Sequence, residues 1–162
     1  MEPIIREVSL EDTELLKKLY ILTIMSEFPE YSEKKKEFFT SEKYVENMMH
    51  LPLRLGAFVD DVLVGYLLST KSFGGIVFIH WIAVMEDYQH HGLGRKLLAK
   101  LEEIAKTQGA HGVHLEANKR NVSFYESMGF AQFGYTKHGY FDAEEYFMEK
   151  IIQTPKEENY IR

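Results

Sequence analysis

The chain predicts an α/β fold of mixed type: a seven-stranded sheet, mostly antiparallel and partly parallel, with helices on both faces. Three observations carry this. Two apolar runs, residues 53–59 and 62–70, flank Asp60-Asp61 as a hairpin. Later strand patterns alternate with helical ones, which points to crossovers and some parallel pairing. One strand-to-helix junction is a glycine-bearing turn, Gln89-His90-His91-Gly92-Leu93-Gly94-Arg95, and in such sheets ligands sit beyond the strands' carboxyl ends.

The elements follow in order. Residues 4–8 read as a short strand, and Ser9-Leu10-Glu11-Asp12 starts a helix running to about Met25. Leu15, Leu16, Leu19, Leu22 and Thr23 recur at helical spacing on it. Phe28-Pro29-Glu30-Tyr31 breaks the helix. Ser32 is placed to cap a second helix over residues 33–50, with Phe38, Val45, Met48 and Met49 as its buried side and Lys34, Lys35 and Lys36 solvated. After the hairpin, a strand ends near Val84, and Leu93, Leu97, Leu101 and Ile104 line one face of a helix that stops at Gly109. Residues 111–117 read as a strand, 120–128 as a short helix capped by Gly129, and 130–137 and 145–152 as the last two strands. A polar segment, residues 154–162, follows as a loose tail behind a single domain of residues 1–153.

Composition narrows the function. The 162 residues suffice for one real core. No apolar run nears the roughly 18 residues of a membrane span, and residues 1–6 lack the features of a signal peptide. With no cysteine there is no thiol nucleophile, disulfide or thiolate metal site. A soluble cytoplasmic protein is the expectation. The net charge of −6 argues against a general nucleic-acid binder and is compatible with a basic substrate such as an amine.

The turn at residues 89–95 has physical content of its own. A strand running through glycines into a helix leaves the first N–H groups of that helix unbonded, at the positive end of its dipole. Gly92 and Gly94 let phosphates approach without meeting a Cβ, so the turn suits a pyrophosphate. It lacks the Gly-Lys-Ser/Thr ending of a P-loop, and it lacks the third glycine of a dinucleotide fingerprint, Gly94 being followed by Arg95 and Lys96. Arg95 and Lys96 either add charge near a phosphate or are solvated.

A second motif lies at residues 118–130, Asn118-Lys119-Arg120-Asn121-Val122-Ser123-Phe124-Tyr125-Glu126-Ser127-Met128-Gly129-Phe130. The pair Gln-x-x-Gly-x-Gly and Phe-Tyr-Glu-x-x-Gly-Phe, on successive strand–helix units, resembles the GNAT superfamily of N-acetyltransferases. The resemblance implies acetyl-coenzyme A as cosubstrate. The N–H groups of His90, His91, Gly92, Leu93, Gly94 and Arg95 would bind its pyrophosphate, and Ile82, Ala83 and Val84 would pair with its pantetheine arm. It further implies Tyr125 as general acid toward the sulfur and Asn118 as a cofactor contact, with homodimers common in the family.

Acetyl transfer needs a neutral amine, a donor to the thioester oxygen and a proton for the leaving thiolate. A backbone N–H near Ala83 or Val84 would be the oxygen donor. For the base, Glu116 lies on a strand where related enzymes carry a catalytic glutamate; His80, His114 and a water chain remain alternatives, in that order. The seven histidines offer no metal-ligand spacing, so no metal is expected. Phe28, Tyr31, Tyr140, Phe141 and Asp142 suit an amine acceptor, whether a small molecule or a peptide N-terminus. The reading from another class is a non-catalytic acyl-coenzyme A sensor.

Overall fold

A computed structural model describes residues 2–161. Seven strands form one sheet in the order β1-β2-β3-β4-β5-β7-β6. They are β1 (Ile4–Glu7), β2 (Leu53–Val59), β3 (Val62–Ser69), β4 (Ile76–Val84), β5 (Gly112–Ala117), β6 (Ala131–Thr136) and β7 (Glu145–Ile151). The β1–β2, β2–β3, β5–β7 and β6–β7 pairs are antiparallel. β4 and β5 pair in parallel from Ile76↔Gly112 to Ile79↔Leu115. This is the mixed sheet that the sequence pattern predicts. The chain contacts divide into two compact units.

The first unit holds the chain up to Ser69 together with Trp81–Leu101. Its helices are α1 (Thr13–Ser26), α2 (Glu33–Phe39), α3 (Glu42–Met49) and the first part of α4 (Leu93–Thr107). Asp60 and Asp61, at φ 53 and 65, close the β2–β3 hairpin. Two successive left-handed residues match the right-handed twist of the strands, and aspartate tolerates that conformation better than most residues. α1 buries Leu16, Leu19, Tyr20, Thr23 and Ile24, while Leu15 and Leu22 are exposed. The expected stripe is therefore rotated toward Tyr20. Its ring meets Trp81 edge-on at 5.8 Å, and its hydroxyl donates to Phe39 O at 3.1 Å.

The second helix expected over residues 33–50 is in fact two. Thr40 sends both its N–H (3.0 Å) and its hydroxyl (2.8 Å) to Lys36 O, and the Ser41 hydroxyl takes Phe38 O at 2.7 Å. These hydroxyls occupy carbonyls at the end of α2, and Ser41 turns extended, at ψ 146, before α3 begins. The break reverses two neighbours: Phe38 is exposed, and Phe39 is buried against Trp81 at 5.3 Å. Val45, Met48 and Met49 are buried as expected, and Ser32 caps α2 by accepting from Lys35 N–H at 3.2 Å.

The second unit holds Thr70–His80 and the chain from Glu102 on. Along β5, Val113, Leu115 and Ala117 are buried, while His114 and Glu116 on the alternate face are half-buried. A 3₁₀ turn (Lys119–Asn121) leads into the short helix α5 (Val122–Ser127). The C-terminal segment, expected to be loose, is docked. Tyr160 OH lies 2.7 Å from His111 Nδ1 and accepts the Lys156 N–H at 2.9 Å. A Cβ on Gly75, at φ 85, would stand 2.3 Å from that histidine ring and 2.4 Å from Tyr160, so only glycine fits.

The Thr23 hydroxyl lies 2.7 Å from Tyr66 OH and also bonds Tyr20 O at 2.9 Å, all in the core. Tyr66→Phe removes one buried bond yet leaves Thr23 satisfied. It is expected to lower unfolding stability by about 1 kcal/mol, read as a lower urea midpoint at unchanged slope.

Candidate active site

In the first unit, the route from β4 to α4 is set by a few anchored atoms. Trp81 is buried, and Ile82, Ala83 and Val84 after it are half-exposed. Met85 N–H donates to Val64 O at 2.9 Å, ending the strand, and a single 3₁₀ turn (Glu86–Tyr88) follows. The Gln89 carboxamide then donates twice, to Glu27 Oε2 at 2.7 Å and to Val84 O at 2.9 Å. One side chain thus ties the turn both to the end of α1 and to the strand just left. Glu27 lies 62 positions away and carries no local signal, so sequence reasoning missed this anchor although Gln89 stood in the motif.

Beyond Gln89 the backbone alternates. His90 and Gly92 have φ 62 and 79, flanking a His91 that is not left-handed. Such alternation aims successive N–H groups toward one side. The Lys96 N–H bond to Gly92 O, at 3.0 Å, opens the helical ladder. The amides of Leu93, Gly94 and Arg95 precede it, where a helix has no internal acceptor to offer. α4 has no acidic residue in its first turn, and Arg95 and Lys96 place cations there. Cations at the positive end of a dipole are unfavourable unless an anion joins them. A Cβ on Gly92 would meet nothing within 4 Å, so the backbone faces open space. The turn fits a phosphate-bearing ligand. Leu93, Leu97, Leu98 and Leu101 anchor the opposite side of the helix in the core.

The remaining candidates lie in the second unit. Glu116, near the end of β5, pairs across the sheet with Phe147. Burial raises its carboxyl pKa above the usual range, and the charge of Glu145 adds to this. His114 shares that face, as expected, and its Nε2 is 3.4 Å from Glu149 Oε2. His80 on β4 packs its ring 5.1 Å from Phe78, and burial lowers its pKa. Asn118 stands at the start of the 3₁₀ turn and accepts the Asn121 N–H on its carbonyl at 2.9 Å, but its side chain makes no cap bond. The Tyr125 ring is buried on α5 between Phe124 (5.2 Å) and Phe130 (5.7 Å). Burial raises its phenol pKa, opposed only in part by the charge of Arg120, so it is protonated at neutral pH.

The five aromatic and acidic acceptor candidates separate. Phe28 is buried and stacks on Tyr31 at 4.9 Å, with Trp81 edge-on at 5.4 Å. These two rings serve the core. Tyr140 and Phe141 are exposed, and Asp142 pairs with His138 at 2.6 Å. Among the described residues no group of three or more His, Asp or Glu is placed to hold a metal ion, and no helix is long and apolar enough to cross a membrane.

Residues 17–130 match the sequence profile of the acetyltransferase (GNAT) family. The chain belongs to that family. The spermidine N(1)-acetyltransferase of Thermoplasma acidophilum is 29% identical over 137 residues, 76% of this chain and 81% of that enzyme. The glucosamine 6-phosphate N-acetyltransferase of Trypanosoma brucei brucei is 31% identical over 61 residues, 38% of this chain. The chain spans only 42% of that enzyme's length, and 29% of the length of a Mycobacterium leprae relative. In structure, the PaiA N-acetyltransferase of Thermoplasma acidophilum, solved with coenzyme A, superposes with a TM-score of 0.78 at 27% identity. That match covers 93% of this chain and 99% of that one.

Gln89→Ala removes both anchoring bonds, one of them to a carboxylate. It is expected to destabilise the protein by about 1–3 kcal/mol and to speed hydrogen exchange of the amides at residues 90–95.

Proposed function

We propose that the protein is an acetyl-coenzyme A dependent N-acetyltransferase acting on a primary amine. The observation that carries this is the start of α4: amides without an acceptor among the described residues, an open Gly92, and the cations Arg95 and Lys96 in a first turn that has no acidic residue of its own, with only the exposed Glu2 reaching Lys96, at 3.9 Å. On this reading the amides of His90, His91, Gly92, Leu93, Gly94 and Arg95 hold the pyrophosphate. The backbone of Ile82, Ala83 and Val84 pairs with the pantetheine arm like an added strand, and a backbone N–H near Ala83 or Val84 donates to the thioester oxygen. Asn118 is proposed as a further cofactor contact. The spermidine acetyltransferase among the relatives supports an amine acceptor, with a polyamine as the first to try.

Acetyl-coenzyme A supplies an activated acyl group. The amine nitrogen attacks it directly, a C–N bond forms as the C–S bond breaks, and no acyl-thioester on the protein can intervene, since the chain has no cysteine. Glu116 takes the proton that the attacking amine must lose, and its raised pKa makes it a better acceptor than an ordinary carboxylate. Tyr125 supplies the proton to the departing thiolate, and its burial keeps the phenol protonated until then. His80, whose pKa desolvation lowers from its ordinary value, is the next base in line.

Thiol release from acetyl-coenzyme A is expected to depend on added amine across a panel of polyamines, amino sugars and peptides. Tight cofactor binding with no amine-dependent release would instead favour the sensor. Tyr125→Phe is expected to lower turnover at least about 10²-fold while leaving coenzyme A affinity unchanged; an unchanged turnover removes Tyr125 as the acid.

Glu116 is separable by pH. In the wild type the rate falls as pH drops through its raised pKa, and Glu116→Gln is expected to lose both rate and that limb. The stability effect has the opposite sign. A raised folded pKa favours the folded state below the unfolded value near 4.5, and that advantage is lost as pH rises through the folded value. The Gln variant should therefore unfold at higher urea than wild type at neutral pH, with the gap closing in acid.

A further inference from the structure

A cavity of about 350 Å³ lies in the first unit, lined by the start of α1, the end of α3 and the start of β2. It sits away from Ala83 and Val84. Met85 bonds Val64, near the hairpin turn, whereas Arg54 pairs with Leu68 at the other end of β2–β3. Its volume falls in the range of small-molecule sites.

Its wall carries two carboxylates, Glu14 and Glu46, and two cations, Lys17 and Arg54, but both carboxylates gather on Lys17. Lys17 is committed to Glu46 at 2.6 Å and lies 3.6 Å from Glu14. Arg54 is not matched in this way. Its Nη1 donates to Thr13 Oγ1 at 3.1 Å and Met49 O at 3.2 Å, and its Nη2 to Val8 O at 3.5 Å. All three acceptors are neutral. They fix the guanidinium plane and supply no counter-charge, and among the described residues Arg54 has no carboxylate partner. Among the described residues its Nε–H and one Nη2–H meet no acceptor, and free guanidinium N–H groups are strong donors to an oxyanion. A half-buried, immobilised guanidinium on a cavity wall has lost part of its hydration, which a bound anion would replace.

We infer that this cavity is a second site, separate from the turn at residues 89–95, that takes a small molecule bearing a carboxylate or phosphate on Arg54. The carbon part of the ligand would lie on Met49 and Leu51. The inference stands on the cavity and the unmatched charge and does not rest on the proposed transferase activity.

The test is an amide-resolved NMR titration of the full chain at constant ionic strength, with butyrate in one arm and inorganic phosphate in the other. Saturable shifts are expected at Thr13, Lys17, His50 and Arg54; the arm that produces them assigns carboxylate or phosphate. Leu10 lines the rim and is 85% exposed, so Leu10→Glu should fold normally while setting a repelling carboxylate there. It is expected to weaken binding at least about tenfold, and Arg54→Gln to abolish it. If Arg54→Gln loses its fold along with its bonds to Thr13 and Met49, Leu10→Glu alone decides. Shifts confined to residues 90–95, no saturation in either arm, or unchanged affinity in Leu10→Glu would overturn the site.

Discussion

The constraint on which the proposed active site depends is that the first amides of α4 stay free of protein acceptors. A chain leaving a strand normally closes such groups with a side-chain cap, and among the described residues no side chain accepts from them. The left-handed φ values at His90 and Gly92 turn the backbone without using those amides. The Gln89 carboxamide holds the turn from behind, through Glu27 and Val84 O, where its bonds take no donor from the ligand side. The four buried leucines of α4 then supply the burial that keeps such a helix start in place.

The two titratable groups proposed for the chemistry are shifted in the same direction by the same cause. Burial raises both Tyr125 and Glu116, but the consequences differ. For a phenol, already protonated at neutral pH, the shift secures the proton it must give. For a carboxylate it strengthens the hold on a proton it must accept. The second influence on Glu116 comes from Glu145 on β7, so the sheet brings together a like-charge effect that neither strand has alone.

How much was legible in the sequence follows how local each cause is. The turn at residues 89–95, the Asp60-Asp61 hairpin and the Ser32 cap are written within a few residues, and they were readable. The break at Thr40 and Ser41 was local too, but an apolar pattern running on to Met49 hid it; two hydroxyls decided it. The buried face of α1 was not local, because Tyr20 is drawn inward by Trp81 and Phe39, far along the chain. The docked C-terminal segment escaped for the same reason. Its polar composition says nothing of a histidine at position 111 that accepts Tyr160 as a partner. The surroundings of Glu116 and His114 likewise come from β7, through the charge of Glu145 and the cross-strand neighbour Glu149.

Trp81 has a use unrelated to catalysis. It is the only tryptophan in the chain, and its indole is buried among Tyr20, Phe28, Tyr31 and Phe39 immediately before the half-exposed stretch at Ile82. Tryptophan emission from this protein therefore comes from a single, known address. Selective excitation of the indole observes the packing of α1 and α2 on β4 with no contribution from a second tryptophan. The chain carries its own optical probe beside the strand proposed to receive the cofactor, and no label has to be introduced to watch that region.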